Sequence, residues 1–104
     1  MTDIRLSHPT LKVLNFLLVE PLQERSGAEI AKCTGTASGT LYPMLTRLVG
    51  AKWLTRRWEV IDPRKAGRPR RRFYRLTALG QNEANKALRE LQTDTAGGRA
   101  WQSS

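Results

Sequence analysis

The apolar residues of this chain recur at helical spacing in four places and alternate with polar ones in two. Leu11, Leu14, Leu17 and Leu18 form the inner face of a first helix, widened by Val13 and Phe16. His8-Pro9 marks its start, with Ser7 or His8 as the cap, and Pro21 stops it. Ser26-Gly-Ala-Glu29 has the spacing of a capping box and opens a short second helix. Its inner face is Ala28, Ile30 and Ala31 with Cys33 at the margin, and Gly35 ends it. After Thr36-Ala37, Ser38 is the next cap. Leu41, Leu45 and Leu48 then follow at i, i+4 and i+7, which lines them along one side of a third helix closed by Gly50. Residues 53–60 and 71–76 read as strands. Alternation in the second places Arg72, Tyr74 and Leu76 on one face and Arg71, Phe73 and Arg75 on the other. The turn-rich stretch 63–69, with Gly67 inside it, joins them into a hairpin. Thr77 caps a last helix reaching to about Gln92, with Ala84, Ala87, Leu88 and Leu91 as its stripe.

Two short helices joined by a tight turn describe a helix-turn-helix, whose second helix enters the major groove of DNA. The pattern therefore predicts a mainly α fold with a small β-hairpin (α+β): a winged helix-turn-helix with a C-terminal dimerisation helix. The expected divisions are an N-terminal arm at 1–8, a winged domain at 9–76, the dimerisation helix at 77–92 and a disordered tail at 93–104. The third helix turns Thr40, Pro43 and Arg47 away from its leucine seam, flanked by Tyr42 and Thr46. That face suits the edges of bases in a major groove. An ordinary solvated face accounts for the same residues, so both readings stand on this stretch alone. Pro43 removes one helical hydrogen bond and crowds the carbonyl of Gly39, which predicts an irregular first turn.

Charge changes the balance. The 104 residues carry a net charge of +9, with a sequence pI near 10.9. Ten of the eighteen basic residues fall between Lys52 and Arg75, opposed there only by Glu59 and Asp62. About +8 of the +9 thus sits on the expected hairpin and its base, which is a footprint for a polyanion. A 39% hydrophobic content and a mean hydropathy of −0.49 fit one small soluble domain, with no run long enough to span a bilayer and no signal peptide. A core of this size is marginal, and pairing with a second copy helps it. One cysteine, Cys33, rules out an internal disulfide framework and a cysteine-cluster metal site. The expected compartment is the cytoplasm, associated with a bacterial nucleoid. Cys33 reads as a small buried residue, with redox sensing the lesser alternative, and His8 as a cap or surface group. With one histidine, no phosphate-binding glycine loop and no paired carboxylates, the chain has nothing to assemble into an enzyme site, and no cofactor is expected. Trp53, Trp58, Phe73 and Tyr74 either fill the space between hairpin and helices or form a ligand cage; packing is the plainer reading.

Residues 9–92 resemble the PadR family of transcriptional regulators. The resemblance rests on Gly39-Thr-Leu-Tyr-Pro-Met-Leu-Thr-Arg-Leu48, Trp58, Gly67-Arg68, Arg70-Arg-Arg-Phe-Tyr74, Leu76-Thr77 and Gly80, in this order and spacing. It implies a homodimeric repressor on double-stranded DNA with an inverted-repeat operator, released by a small effector, often aromatic or drug-like, whose identity the residues leave open. Carried over position by position, it implies DNA contacts from Ser38, Thr40, Tyr42, Pro43, Thr46 and Arg47 on the recognition helix, and from Arg64, Lys65, Arg68 and Arg70 on the wing. Arg71, Arg72 and Arg75 join that set or flank the aromatics. The short C-terminal region resembles the subgroup that dimerises through its last helix with help from the first, which implies an interface of Leu11, Leu14, Leu18, Ala84, Ala87, Leu88 and Leu91. Two departures stand out: Val49 replaces the acidic residue usual after Arg47-Leu48, and the larger C-terminal domain that could hold an effector is missing. Two other classes share the basic hairpin: a sequence-tolerant RNA- or nucleoid-binding protein, and a winged-helix adaptor for a protein partner.

Overall fold

The structure, a computed structural model, describes residues 6–98, with side-chain surroundings through Glu90. Most of the expected arm, Trp101 with the end of the tail, and the side chain of Leu91 lie outside the described residues. The elements run α1 (His8–Val19), β1 (Arg25–Ser26), α2 (Gly27–Thr34), α3 (Ser38–Gly50), β2 (Leu54–Trp58), α4 (Pro63–Ala66), β3 (Arg72–Leu76) and α5 (Ala78–Gly98). This is the expected winged helix-turn-helix, mainly helical with a small antiparallel sheet.

The Ser7 hydroxyl caps α1, accepting the Thr10 amide at 3.4 Å and sharing a hydrogen bond with the Thr10 hydroxyl at 3.0 Å. That partner lets Thr10 be buried, so the inner face is Thr10, Val13, Leu14 and Leu17. Leu11 and Leu18, expected on that face, are only half-buried at its edge. Ser26 caps α2 through the Glu29 amide at 3.1 Å. The capping box is half made, because the Glu29 carboxylate turns instead to Arg25 at 2.7 Å. Gly35 ends α2 in the left-handed region at φ 65°, as its lack of a Cβ permits. The turn then departs from expectation. Ala37 occupies the cap of α3, with no side-chain hydrogen bond, and Ser38 is already helical. At the other end Gly50 stays helical and Lys52 takes the left-handed conformation, φ 69°.

Leu41, Met44, Leu45 and Leu48 of α3 are buried against Val13, Leu14, Leu17, Ile30, Leu54, Tyr74, Leu76 and Ala84 in one core. Fully burying side chains of this kind contributes roughly 1.5–3 kcal/mol each. β2 and β3 pair in antiparallel register, Leu54 with Leu76 and Trp58 with Arg72. Tyr74 and Leu76 face the core while Arg75 faces out, as the alternation predicts. The sheet has a third strand: β1 pairs with β3, Arg25 with Tyr74, giving the order β1-β3-β2. Thr77 seats α5 on the root of β2. Its hydroxyl donates to the Lys52 carbonyl at 2.6 Å and accepts the Gly80 amide at 2.9 Å. A Cβ on Gly80 would lie 2.0 Å from the Trp53 carbonyl oxygen, so only glycine allows this approach. α5 runs on to Gly98, past the end expected near Gln92, so 93–98 are not an irregular tail. No proline interrupts that stretch, and paired glycines stand at its end.

Some assignments of the α2 inner face and of the subunit interface are corrected. Ala28, expected inward on α2, is exposed. Cys33 is exposed, because Thr34 takes the inward position and satisfies its hydroxyl on the Ile30 carbonyl at 2.7 Å. Leu14 and Ala84, assigned to a subunit interface, are fully enclosed in the chain's own core, and Ala87 is 7% exposed. Leu14 and Ala84 leave no surface for a partner, and Ala87 leaves little.

Candidate nucleic-acid interface

Helix α3 buries its leucine seam, and the opposite face is open. Ser38, Thr40, Tyr42, Pro43, Thr46 and Arg47 are all exposed. The Tyr42 ring lies back across the start of α2: a Cβ on Gly27 would come within 2.6 Å of it. Glycine at 27 is what lets the two helices of the motif approach here.

The wing is built from local devices. Asp62 caps the single turn of α4 by accepting the Arg64 amide at 3.0 Å, Pro63 starts that turn, and Gly67 ends it at φ 71°. Arg64, Lys65 and Arg70 are exposed, and among the described residues none of them pairs with a carboxylate. Arg70 donates from Nε to the Ile61 carbonyl at 3.1 Å. Arg68, expected beside them, is engaged internally. Its Nη1 and Nη2 donate to the two Glu59 oxygens at 2.7 and 2.9 Å. This bidentate pair holds the Glu59 carboxyl down at about 2.

The other arginines divide. Arg72 lies over the Trp58 ring at 4.2 Å, and Arg57 lies over Phe73 at 5.1 Å while its fork holds Glu24 at 2.6 Å. Arg71 and Arg75 are exposed. Phe73 is partly buried beneath Arg57 on the other face of β3. Tyr74 is buried and Trp53 packs against the core, so these two aromatics do fill the space between wing and helices. Trp58 does not. It is 55% exposed and held at the surface by Arg72.

α3 and the wing meet in a cleft of about 330 Å³ bordered by Gly27, Tyr42, Trp58, Arg70, Arg71 and Arg72. Tyr42 of α3, the start of α2 and the arginine-rich root of the wing thus border one concave surface. Trp58 and Arg70 also border a wider cleft of about 880 Å³ with Val60, Ile61, Pro63 and Pro69. Sequence reasoning missed Gly27, the outward Trp58 and the Glu59 anchor. Glu59 did carry a signal, as one of two carboxylates in a run of ten cations. Away from this surface, Leu11, Leu18 and Leu88 line a groove of about 650 Å³ between α1 and α5. Among the described residues no cluster of side chains could hold a metal, and no helix is long and apolar enough to cross a membrane.

A model of the transcriptional regulator PadR-like family matches residues 16–86. No curated protein matches the chain. Solved structures do. The transcriptional regulator homologue from Pyrococcus horikoshii OT3 superposes with TM-score 0.70 at 21% identity, over 90% of this chain and 91% of that one. The PcaV transcriptional regulator from Streptomyces coelicolor, in complex with its natural ligand, gives 0.69 at 23%, over 96% and 65%. The disulfide-formed AbfR gives 0.65 at 24%, over 84% and 54%. The chain therefore spans under two thirds of the length of PcaV and AbfR. At these identities the likenesses establish the fold.

Proposed function

The chain belongs to the PadR-like family of transcriptional regulators, and on that premise we propose that it acts as a homodimeric repressor reading an inverted-repeat operator. As a member of that family it is a DNA-binding regulator and not an enzyme. The observation that supports the finer reading is the shared cleft: Tyr42 on the exposed face of α3 and Arg70, Arg71 and Arg72 of the wing border one surface. In this reading Thr40 and Tyr42 reach base edges, and Arg47 and the amides at the start of α3 meet the phosphate backbone, which helix N-termini attract. Ser38, Pro43 and Thr46 shape the contact, and Arg64, Lys65 and Arg70 grip phosphates on either side of the groove.

The α1–α5 groove supports pairing. Leu11, Leu18 and Leu88 leave apolar surface on the face opened by the first and last helices, and α5 is long enough to cross to a second subunit. Two-fold pairing sets the recognition helices to successive major grooves, about 34 Å apart, so half-sites fall one turn apart. A small-molecule effector of unassigned identity belongs to the proposal, on the parallel that PcaV was solved with its natural ligand.

Binding selection from a random duplex pool tests the reading, alongside light scattering of the free protein. Recovery of a two-fold symmetric sequence by a dimer is expected. Equal binding of all duplexes with a steep salt dependence points instead to a sequence-tolerant nucleic-acid binder, and absence of duplex binding to an adaptor.

A further inference from the structure

Residues 60–70 form the projecting part of the wing, and none of them is buried. Apolar packing therefore does little to fix where Arg64, Lys65 and Arg70 stand relative to α3. The strongest fixed point is Glu59, just beyond β2. Its two oxygens accept three N–H groups: Arg68 Nη1 at 2.7 Å, Arg68 Nη2 at 2.9 Å and the Arg71 amide at 3.2 Å. Its own amide donates to the Arg71 carbonyl at 2.7 Å. One carboxylate thus ties the end of β2 to the far limb of the loop and to the entry of β3. The pair is partly shielded, with Glu59 16% and Arg68 35% exposed in their side chains.

We infer that Glu59 is the positioning residue of the wing, and that Arg68 serves as its counter-ion and not as a phosphate contact. The inference rests on the DNA-binding reading above. A phosphate competing for Arg68 would have to displace a bidentate pair, and it would leave Glu59 as an unpaired anion beside the duplex. An anion in a basic arm lowers the affinity for DNA by charge alone. Its presence there is accounted for by what it holds, since its three accepted N–H groups order a segment with no core of its own. Charge and positioning therefore predict opposite signs for its removal.

The experiment compares Glu59→Gln, Arg68→Ala, Arg70→Ala, the single reversals Glu59→Arg and Arg68→Glu, and the charge-reversed pair Glu59→Arg/Arg68→Glu, by anisotropy on the selected duplex at several salt concentrations. Circular dichroism and melting serve as controls for folding. Glu59→Gln is expected to weaken binding about tenfold, although it adds a positive charge. Arg68→Ala is expected to weaken binding by a similar factor while leaving the slope of log K against log salt unchanged. Arg70→Ala should flatten that slope by about one unit, the signature of a lost phosphate contact. The reversed pair should bind more tightly than either of its single variants. Tighter binding by Glu59→Gln with a steeper slope, or a flattened slope for Arg68→Ala, overturns the inference. Hydrogen exchange of the free protein separates this from a failure of the DNA reading. Faster exchange of the Gly67, Arg68 and Arg71 amides in Glu59→Gln is expected whether or not wild type binds duplex, and unchanged exchange also overturns it.

Discussion

Helix α3 and the wing border a common cleft, yet different forces hold them. α3 is seated by Leu41, Met44, Leu45 and Leu48, all buried, and needs no side-chain cap at its start. The wing has no buried residue from 60 to 70, and its shape comes from an Asp62 cap, a glycine turn and the Glu59–Arg68 pair. Helix α3 is thus tied to the whole core, while the wing rests on local bonds that can be broken without it. A core-seated helix beside a separately held wing lets the two be changed one at a time.

The largest effect expected is on the helix. Leu45→Ala removes a fully enclosed side chain from the middle of the core. A loss of about 2–5 kcal/mol is expected in urea unfolding, with all amides affected together. Thr77→Ala comes next. It removes the cap of α5 and the bond to the Lys52 carbonyl, for about 1 kcal/mol. Neither change touches the wing, so the salt slope for duplex should be unaltered wherever the variant stays folded.

The wing answers in the other observable. Arg64 lends only its backbone amide to the fold. Arg64→Ala should flatten the salt slope by about one unit while moving the unfolding midpoint by less than about 0.5 kcal/mol. Equal losses of stability and affinity would show that helix and arm are one cooperative unit. Acid makes the same distinction. The Glu59 carboxyl lies at about 2 in the folded wing, well below its ordinary 4.5, because Arg68 and the Arg71 amide bond it. A depressed carboxylate contributes in full above the ordinary range, and its contribution fades as pH falls from there through about 2. Wing amides should therefore lose exchange protection over that interval at higher pH than the amides of α3.

This division also decided what could be read from the residues alone. Leu41, Leu45 and Leu48 announce their face by spacing, and the Thr77 cap announces itself by residue type. Periodic burial is the strongest local signal a chain carries. What escaped has no period. β1 is two residues long and exists only because β3 passes beside it. Arg68 looks like any other cation in a basic run until the fold brings Glu59 to it across nine positions. Trp58 looks like core, yet it stands outward under Arg72. Leu14 and Leu18 share one apolar stripe, and only the packing of α5 says which is enclosed and which is left at the groove.

The smallest effect expected lies where helix meets wing. Lys52 is the one non-glycine residue with positive φ among the described residues, at 69°, in the turn from α3 to β2. Such a conformation costs a side-chain-bearing residue about 1–2 kcal/mol. Glycine relieves that strain but loses more conformational freedom on folding, which offsets about 0.5–1 kcal/mol. Lys52→Gly should therefore stabilise the protein only slightly, by about 0.5 kcal/mol. Lys52→Ala separates strain from charge, since it keeps the Cβ and removes the cation. A gain in the urea midpoint for glycine and none for alanine assigns the effect to the backbone. Equal gains assign it to relief of repulsion around the basic hairpin, and the turn would then be unstrained.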